Sequence, residues 1–171
     1  MTEAPLTSLY QALILEHYRH PRNKGELVDH TVEARVSNPV CGDEVNIQIR
    51  LDGERIEEIA FEGQGCSISQ ASVSMMTALV KGTERSEAIR LADLFTDMMH
   101  GQDGAAPDRS LGDLRALEGV SKFPVRIRCA LLAFDALRHA LGEGRQTDPL
   151  GGGHPIGEVV HKDGSDGETT H

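Results

Sequence analysis

Three cysteines are the residues of this chain that most clearly offer chemistry. Cys41, Cys66 and Cys129 are its only thiols, and an odd number disfavours a disulfide framework. Cys41 stands in the stretch NPVCGDEV, between a proline and a glycine, with Asp43 two residues later. Three sulfurs and one carboxylate oxygen form a tetrahedral ligand set that suits zinc, or iron in a cluster. These four residues are the candidate metal ligands.

The spacing of the four residues leaves a second interpretation open. The chain has no CxxC pair, so spacing alone does not distinguish a metal site from separate structural roles. In the alternative, Cys129 is a small buried apolar side chain and Asp43 caps a turn. The two interpretations differ in whether the fold brings the residues together, so the elements that carry them become decisive.

Hydrophobic periodicity predicts an α+β fold. Apolar residues from Leu6 to Tyr18 recur at helical spacing, and Pro21 ends that helix. Three segments then alternate as strands, and Asp52-Gly53 predicts a tight hairpin between the last two.

A helix follows Cys66, with Ser67 or Ser69 as its cap. Further helical patterns cover residues 84–99 and 111–117, and a long helix that begins near Pro124 carries Cys129. The predicted strands cover residues 32–37, 45–51 and 56–61. We therefore expect a three-stranded antiparallel sheet packed against several helices, with Cys41 on an exposed corner.

The C-terminal segment differs in composition from the rest of the chain. Residues 142–171 are rich in Gly, Asp and Glu and hold few core-forming side chains, so their burial does not offset the entropy of ordering them. We predict one domain over residues 1–141 and a disordered tail over residues 142–171.

The overall charge argues against two classes of partner. A formal charge of −10 and an isoelectric point near 5.2 oppose binding to nucleic acid and to anionic membrane surfaces. The first residues carry no basic leader, and the apolar runs are far shorter than the roughly 20 residues of a membrane span. We expect a cytoplasmic protein.

Four stretches of the chain carry a family resemblance. EHYRHPRNKG, NPVCGDEV, FEGQGCSIS and FPVRIRCALLA occur in this order, and together they resemble the NifU/IscU family of iron–sulfur cluster assembly proteins. The resemblance implies that Cys41, Asp43, Cys66 and Cys129 are metal ligands. It also implies zinc as the cofactor or, alternatively, iron or a [2Fe–2S] cluster.

Two departures resemble the SufU branch of that family. Arg128 stands where the IscU branch has a histidine, and FPVRI stands where that branch has its chaperone-recognition motif. The SufU branch contains zinc-dependent sulfur carriers that serve a cysteine desulfurase. The resemblance therefore implies a sulfur carrier that passes sulfur to a downstream iron–sulfur assembly complex, and it associates the position of Arg126 with function. Because Cys41 stands on a corner between a proline and a glycine, we expect it to accept the persulfide sulfur, with Arg126 holding the freed thiolate by a charged hydrogen bond.

The corner at Cys41 suits such a carrier. Zinc binding deprotonates a thiol whose ordinary pKa is about 8.5, and a segment between a proline and a glycine leaves the thiolate free to move. The alternative function is a scaffold that assembles and transfers a [2Fe–2S] cluster on the same four ligands.

Overall fold

A computed structural model describes residues 3–38, 42–101, 109–142 and 156–161 of the chain. Helices and strands occur in the order predicted over the first 142 residues, and a further strand follows them. In chain order the elements are α1 (Glu3–Arg19), β1 (Val32–Asn38), β2 (Asp43–Asp52), β3 (Arg55–Gln64), α2 (Ser67–Val80), α3 (Arg85–Met99), a 3-10 helix (Arg109–Lys122), α4 (Pro124–Ala140) and β4 (Ile156–His161).

The sheet is antiparallel, with strand order β3-β2-β1-β4. Its first three strands confirm the predicted sheet. The β2–β3 hairpin pairs Asp52 with Arg55, so its two-residue loop is Gly53–Glu54, one residue beyond the predicted position. Gly53 has a φ of +60°, which suits the first central residue of a tight hairpin turn.

One face of the sheet packs against helices α2 and α4, and α1 lies on α2. Alternate residues of β2 supply this face, and Val45, Ile47 and Ile49 are completely buried. Phe95 of α3 and Phe134 of α4 stack with ring centroids 4.5 Å apart. This packing fixes the starts of α2 and α4 beside the end of the sheet where β2 begins. Among the described residues, no helix combines the length and apolar character needed to cross a membrane.

Two helix starts differ from the sequence predictions. The N-cap residue of α2 is Cys66 and not Ser67 or Ser69. The Cys66 side chain forms no capping hydrogen bond with the helix. The segment predicted as a short helix at residues 111–117 is a longer 3-10 helix, interrupted at Gly112, whose φ of +55° and ψ of −128° are not helical. Periodicity did not reveal either detail, because both depend on contacts with distant parts of the chain.

Strand β4 lies inside the segment that the composition predicted to be disordered. Ile156–His161 pairs antiparallel with β1 over six residues, from Ser37 opposite Ile156 to Val32 opposite His161. For these six residues the prediction of disorder is not met, because main-chain pairing to an available sheet edge orders them without a core of their own. The remaining tail residues from 143 onward lie outside the described residues, and the domain boundary at residue 141 stays a prediction.

Candidate metal centre

The junction between β2 and α2 joins two of the predicted ligands. Asp43 is the first residue of β2 and is 1% exposed, and its Oδ1 accepts a hydrogen bond of 2.9 Å from the backbone N–H of Cys66. That N–H precedes the first turn of α2, where backbone donors lack helical partners. Asp43 therefore orients its second oxygen, Oδ2, toward the Cys66 sulfur, which is 3.9 Å away.

Gly65 is required for this approach, although the sequence analysis did not single it out. Its φ is +149°, a conformation that favours glycine, and a Cβ at this position would overlap Asp43 Oδ1 and lie 2.8 Å from Ser69 Oγ. Any side chain here would displace the Asp43 carboxylate. The sequence does show a glycine directly before a candidate ligand cysteine. That this glycine makes room for the Asp43 carboxylate is visible only in the structure.

Helix α4 supplies the third described ligand. Cys129 lies in its second turn and is completely buried. Neighbouring side chains on the same helix belong to the core, and Ser72 of α2 donates a hydrogen bond of 2.7 Å to the carbonyl of Ala130. The packing of α4 against α2 therefore sets the position of the Cys129 sulfur.

Asp43, Cys66 and Cys129 form one cluster. Their ligand atoms all lie within 4.8 Å of one another. Zinc–sulfur bonds of about 2.3 Å and zinc–oxygen bonds of about 2.0 Å place the ligand atoms of a tetrahedral site about 3.5–3.8 Å apart. The cluster meets that requirement with small adjustments, and its two thiols and one carboxylate match zinc's preference in type. The residues present thus fit a metal ion, and the alternative of separate structural roles for Cys129 and Asp43 is disfavoured.

Cys41 lies outside the described residues, in the link between β1 and β2. Both ends of that link are described, and they meet beside the cluster. Asn38 pairs with Asp43 in the β1–β2 register, and the Asn38 carbonyl accepts a hydrogen bond of 2.8 Å from the N–H of Gly42. The predicted fourth ligand therefore belongs to a segment whose two ends flank Asp43.

Without a metal, the two described cysteines have opposite titration behaviour. A hydrogen bond from the Cys129 thiol lowers the pKa of Cys66 to about 5, and the backbone N–H of Ser69 adds to this effect against the opposing cost of burial. The same bond to Cys66, together with burial, raises the pKa of Cys129. These opposite shifts favour the thiolate form at Cys66, at the N-terminus of α2, where the helix dipole stabilises negative charge.

Arg126 lies on the solvent side of this pair. It occupies the first turn of α4 and is exposed. The negative charge on Cys66, a hydrogen bond to that sulfur and, more weakly, Cys129 raise the pKa of Arg126. The structure thus places Arg126 next to the cluster, beside the Cys66 and Cys129 sulfurs.

Comparison of the sequence with known protein families identifies the family of this chain. Residues 9–142 match the NifU-like N-terminal domain, so the chain belongs to that family. The matched range includes all four predicted ligands and Arg126, and it ends at the described end of the helical part.

Curated relatives and solved structures agree with this assignment. The chain is 46% identical over 140 residues to the zinc-dependent sulfurtransferase SufU of Bacillus subtilis strain 168, covering 82% of this chain and 94% of the relative. It is 43% identical over 141 residues to the iron–sulfur cluster assembly scaffold protein IscU of Streptococcus pyogenes serotype M1, covering 82% and 87%. A crystal structure described as an iron–sulfur cluster assembly scaffold protein for the SUF system of Fervidobacterium islandicum AW-1 has a TM-score of 0.71 at 30% identity, over 75% of this chain and 93% of the other.

Proposed function

We propose that this protein is a zinc-dependent sulfur carrier in iron–sulfur cluster biogenesis. It accepts persulfide sulfur from a cysteine desulfurase and passes it to a cluster-assembly complex in the cytoplasm. The observation that carries the proposal is the cluster of Asp43, Cys66 and Cys129, whose ligand atoms lie within 4.8 Å of one another beside the link that holds Cys41. The similarity to a zinc-dependent sulfurtransferase over most of both chains supports the same function.

Four residues would hold the metal: Cys41, Asp43, Cys66 and Cys129. Zinc would keep the cysteines as thiolates at neutral pH and, because it has no redox chemistry, would leave electron transfer out of the reaction. The surrounding chain contributes rigidity at three of the four positions. Asp43 and Cys129 are buried, and the backbone of Cys66 is bonded to Asp43.

Cys41 is the acceptor in this proposal. Its thiolate attacks the outer sulfur of the desulfurase persulfide, the sulfur–sulfur bond of that persulfide breaks, and the desulfurase cysteine departs as a thiolate. The product is a persulfide on Cys41, so no external oxidant or reductant is needed. Arg126 stabilises negative charge at the open side of the cluster by charge-assisted hydrogen bonds.

A second candidate is a scaffold on which a [2Fe–2S] cluster is assembled and transferred. The 43% identity to an IscU scaffold protein supports it. It uses the same ligands for iron, so the two candidates differ in which metal the protein holds and in whether sulfur becomes covalently attached to Cys41.

Sulfur mapping by mass spectrometry tests the carrier function. The purified protein is mixed with a cysteine desulfurase and cysteine, then digested without reductant. We expect one added sulfur on the peptide that contains Cys41, about one zinc per chain, and no sulfur uptake in Cys41→Ser. Added sulfur on Cys129 instead, or iron with inorganic sulfide as the isolated content, would contradict the carrier function and favour the scaffold.

A further inference from the structure

A groove lies beside the outer edge of β3, next to the metal centre. This cavity of about 210 Å³ lies between the end of α1, the start of α2 and strand β3. We call it the β3-edge groove, and its defining residues are Tyr18, Pro21, Lys24, Phe61, Gly63 and Gln70. Gly65, whose conformation lets Asp43 approach Cys66, also lines it. The groove therefore borders the ligand cluster directly.

The floor of the groove holds a buried polar atom without a partner. Gln70 is 8% exposed, and its Oε1 is buried and accepts no hydrogen bond from the described residues. A Cβ added to Gly63 would lie 3.3 Å from this oxygen, so Oε1 lies over the face of β3 at the position where residue 63 has no side chain. An unsatisfied buried acceptor destabilises the fold, and a donor that enters the groove would remove that destabilisation.

The strand edge beside Gln70 offers main-chain hydrogen bonds. The N–H of Phe61 donates to the carbonyl of Asn23, and its carbonyl accepts from the N–H of Gly25, so the backbone groups of Phe61 face away from β2. Hydrogen-bonding direction alternates along an antiparallel strand, and the β2–β3 register is continuous from Phe61 to Gly63. The N–H and C=O of Gly63 therefore also face outward, and no β-bridge among the described residues covers them.

One cation lines the groove in a chain that is acidic overall. Lys24 lines the groove, is exposed, and has no ion-pair partner in the described parts of the chain. Among the described residues that line the groove, Lys24 is the one with a charged side chain. The formal charge of the whole chain is −10, so an ion-pair-free lysine in the lining favours a ligand with an acidic group at that point.

We propose that the β3-edge groove docks an extended acidic segment of the sulfur-donor protein. The segment adds as a short strand to β3 at Gly63, donates a hydrogen bond to Gln70 Oε1 and places an acidic side chain at Lys24. Main-chain pairing at a sheet edge is a common way to bind an extended segment. Gly63 is three residues before Cys66, about 10 Å along a strand, so the docked segment leads to the metal centre. This inference rests on the proposed function, because it assumes a protein sulfur donor.

Affinity measurements with matched charge reversals test the docking site. The full-length, zinc-loaded protein is titrated against a purified cysteine desulfurase at low and at high salt. For Lys24→Glu we expect about a ten-fold weaker affinity at low salt and a smaller loss at high salt, since salt screens exposed charges. Lys81→Glu is the control, because Lys81 is an exposed cation at the far end of α2, where it pairs with Glu58 at 3.1 Å, and the variant should bind like the wild type. Equal losses in both variants would overturn the docking site.

A second variant and a backbone measurement test the strand addition. Gln70→Met keeps the side chain's length but removes Oε1, and we expect about a five-fold weaker affinity with an unchanged circular dichroism spectrum. Hydrogen exchange of the Gly63 amide should slow when the desulfurase binds. An unchanged Gly63 amide in a complex that forms with wild-type affinity would exclude edge pairing.

A small persulfide donor separates this inference from the proposed function. Cysteine persulfide does not need a docking groove, so Lys24→Glu and Gln70→Met should take up its sulfur as the wild type does. Failure of the wild type to take up sulfur from either donor would contradict the proposed function itself. Normal uptake from both donors, with unaltered desulfurase affinity in both variants, would leave the function standing and overturn the docking site.

Discussion

The two sides of the metal centre are built in different ways. At the β2–α2 junction, three residues interlock: the Asp43 carboxylate accepts from the Cys66 N–H, and Gly65 leaves the space that this requires. On the other side, α4 holds Cys129 by its packing in the core, while the first turn of the helix is exposed, with Phe123 61% and Val125 65% accessible. The first side depends on the positions of single atoms, whereas the second depends on how a whole helix packs. We therefore expect small changes at the junction to have the larger effects on metal binding.

The largest effect is expected for Gly65→Ala. The added Cβ overlaps the Asp43 carboxylate and also requires an unfavourable backbone conformation, so we expect at least about a 100-fold loss of zinc affinity and a lower melting temperature. Competition with a chelator and thermal unfolding measure the two quantities. Gly82→Ala is the matched control, because Gly82 has a φ of +82° with no atom within 4 Å of the added Cβ. It should be destabilised by backbone strain and yet bind zinc normally. If Gly65→Ala also bound zinc normally, the interlock would not determine the site.

Replacing Asp43 separates its two roles. Asp43→Ala leaves the Cys66 N–H without its acceptor, so we expect the free energy of unfolding of the metal-free protein to fall by about 1–3 kcal/mol. Asp43→Asn retains an oxygen acceptor and should lose less than half of that. Both changes remove the carboxylate charge and should accelerate zinc release to a chelator. Urea unfolding and chelator kinetics measure these effects, and equal destabilisation by Asn and Ala would show that the hydrogen bond contributes nothing.

The metal-free protein should show a difference in reactivity between its two described cysteines. Because the pKa of Cys66 is lowered to about 5, this residue is a thiolate at every pH well above that value. Its alkylation by iodoacetamide should therefore be nearly independent of pH from about 6.5 to 8, whereas an ordinary thiol reacts faster as pH rises toward about 8.5. Cys129, which is buried and has a raised pKa, should stay unmodified until the protein unfolds. Peptide mapping after timed alkylation gives both rates, and preferential labelling of Cys129 would reverse the assignment of the charge.

The smallest effect is expected at the exposed start of α4. Arg126→Ala should leave the melting temperature unchanged, since the side chain is exposed, but it should raise the pKa of Cys66 by removing a nearby positive charge. Arg126→Lys keeps the charge and should raise the pKa less, because an ammonium cannot form the same planar pair of hydrogen bonds. The pH profile of Cys66 alkylation in the metal-free variants measures both. Identical profiles for wild type and Arg126→Ala would exclude an electrostatic role for Arg126.

Most of the fold follows from local patterns that the sequence displays openly. The alternation in β1, β2 and β3 and the periodicity of α1, α2, α3 and α4 predicted these elements with bounds that differ from the structure by a few residues. Pro124 marked the start of α4 correctly because a proline is tolerated where the helix has no N–H partner to lose. The cluster of Asp43, Cys66 and Cys129 was also predicted, and the family resemblance contributed more to that than the spacing did.

The parts that the sequence did not reveal depend on contacts between distant residues. The role of Gly65 depends on its contact with Asp43, and that of the unpartnered Gln70 Oε1 depends on its position next to Gly63. Neither contact can be inferred from local sequence. Strand β4 was missed for a related reason. Its own residues alternate weakly, and the surrounding Gly-rich composition predicts disorder, whereas its order comes from the edge of β1. Cys41 stays a predicted ligand, because it lies outside the described residues.

The pairing of β4 with β1 also bears on self-association. An uncovered strand edge is a template on which further copies of a chain can add, and β1 has buried Val32, Ala34 and Val36 on its inner face. The chain's own C-terminal strand occupies that edge over six residues, so a protein shortened at Gly142 should form concentration-dependent dimers or aggregates. The molecule thereby closes one side of its sheet to other chains, and the β3 side at Gly63 remains the edge at which a foreign strand can be received.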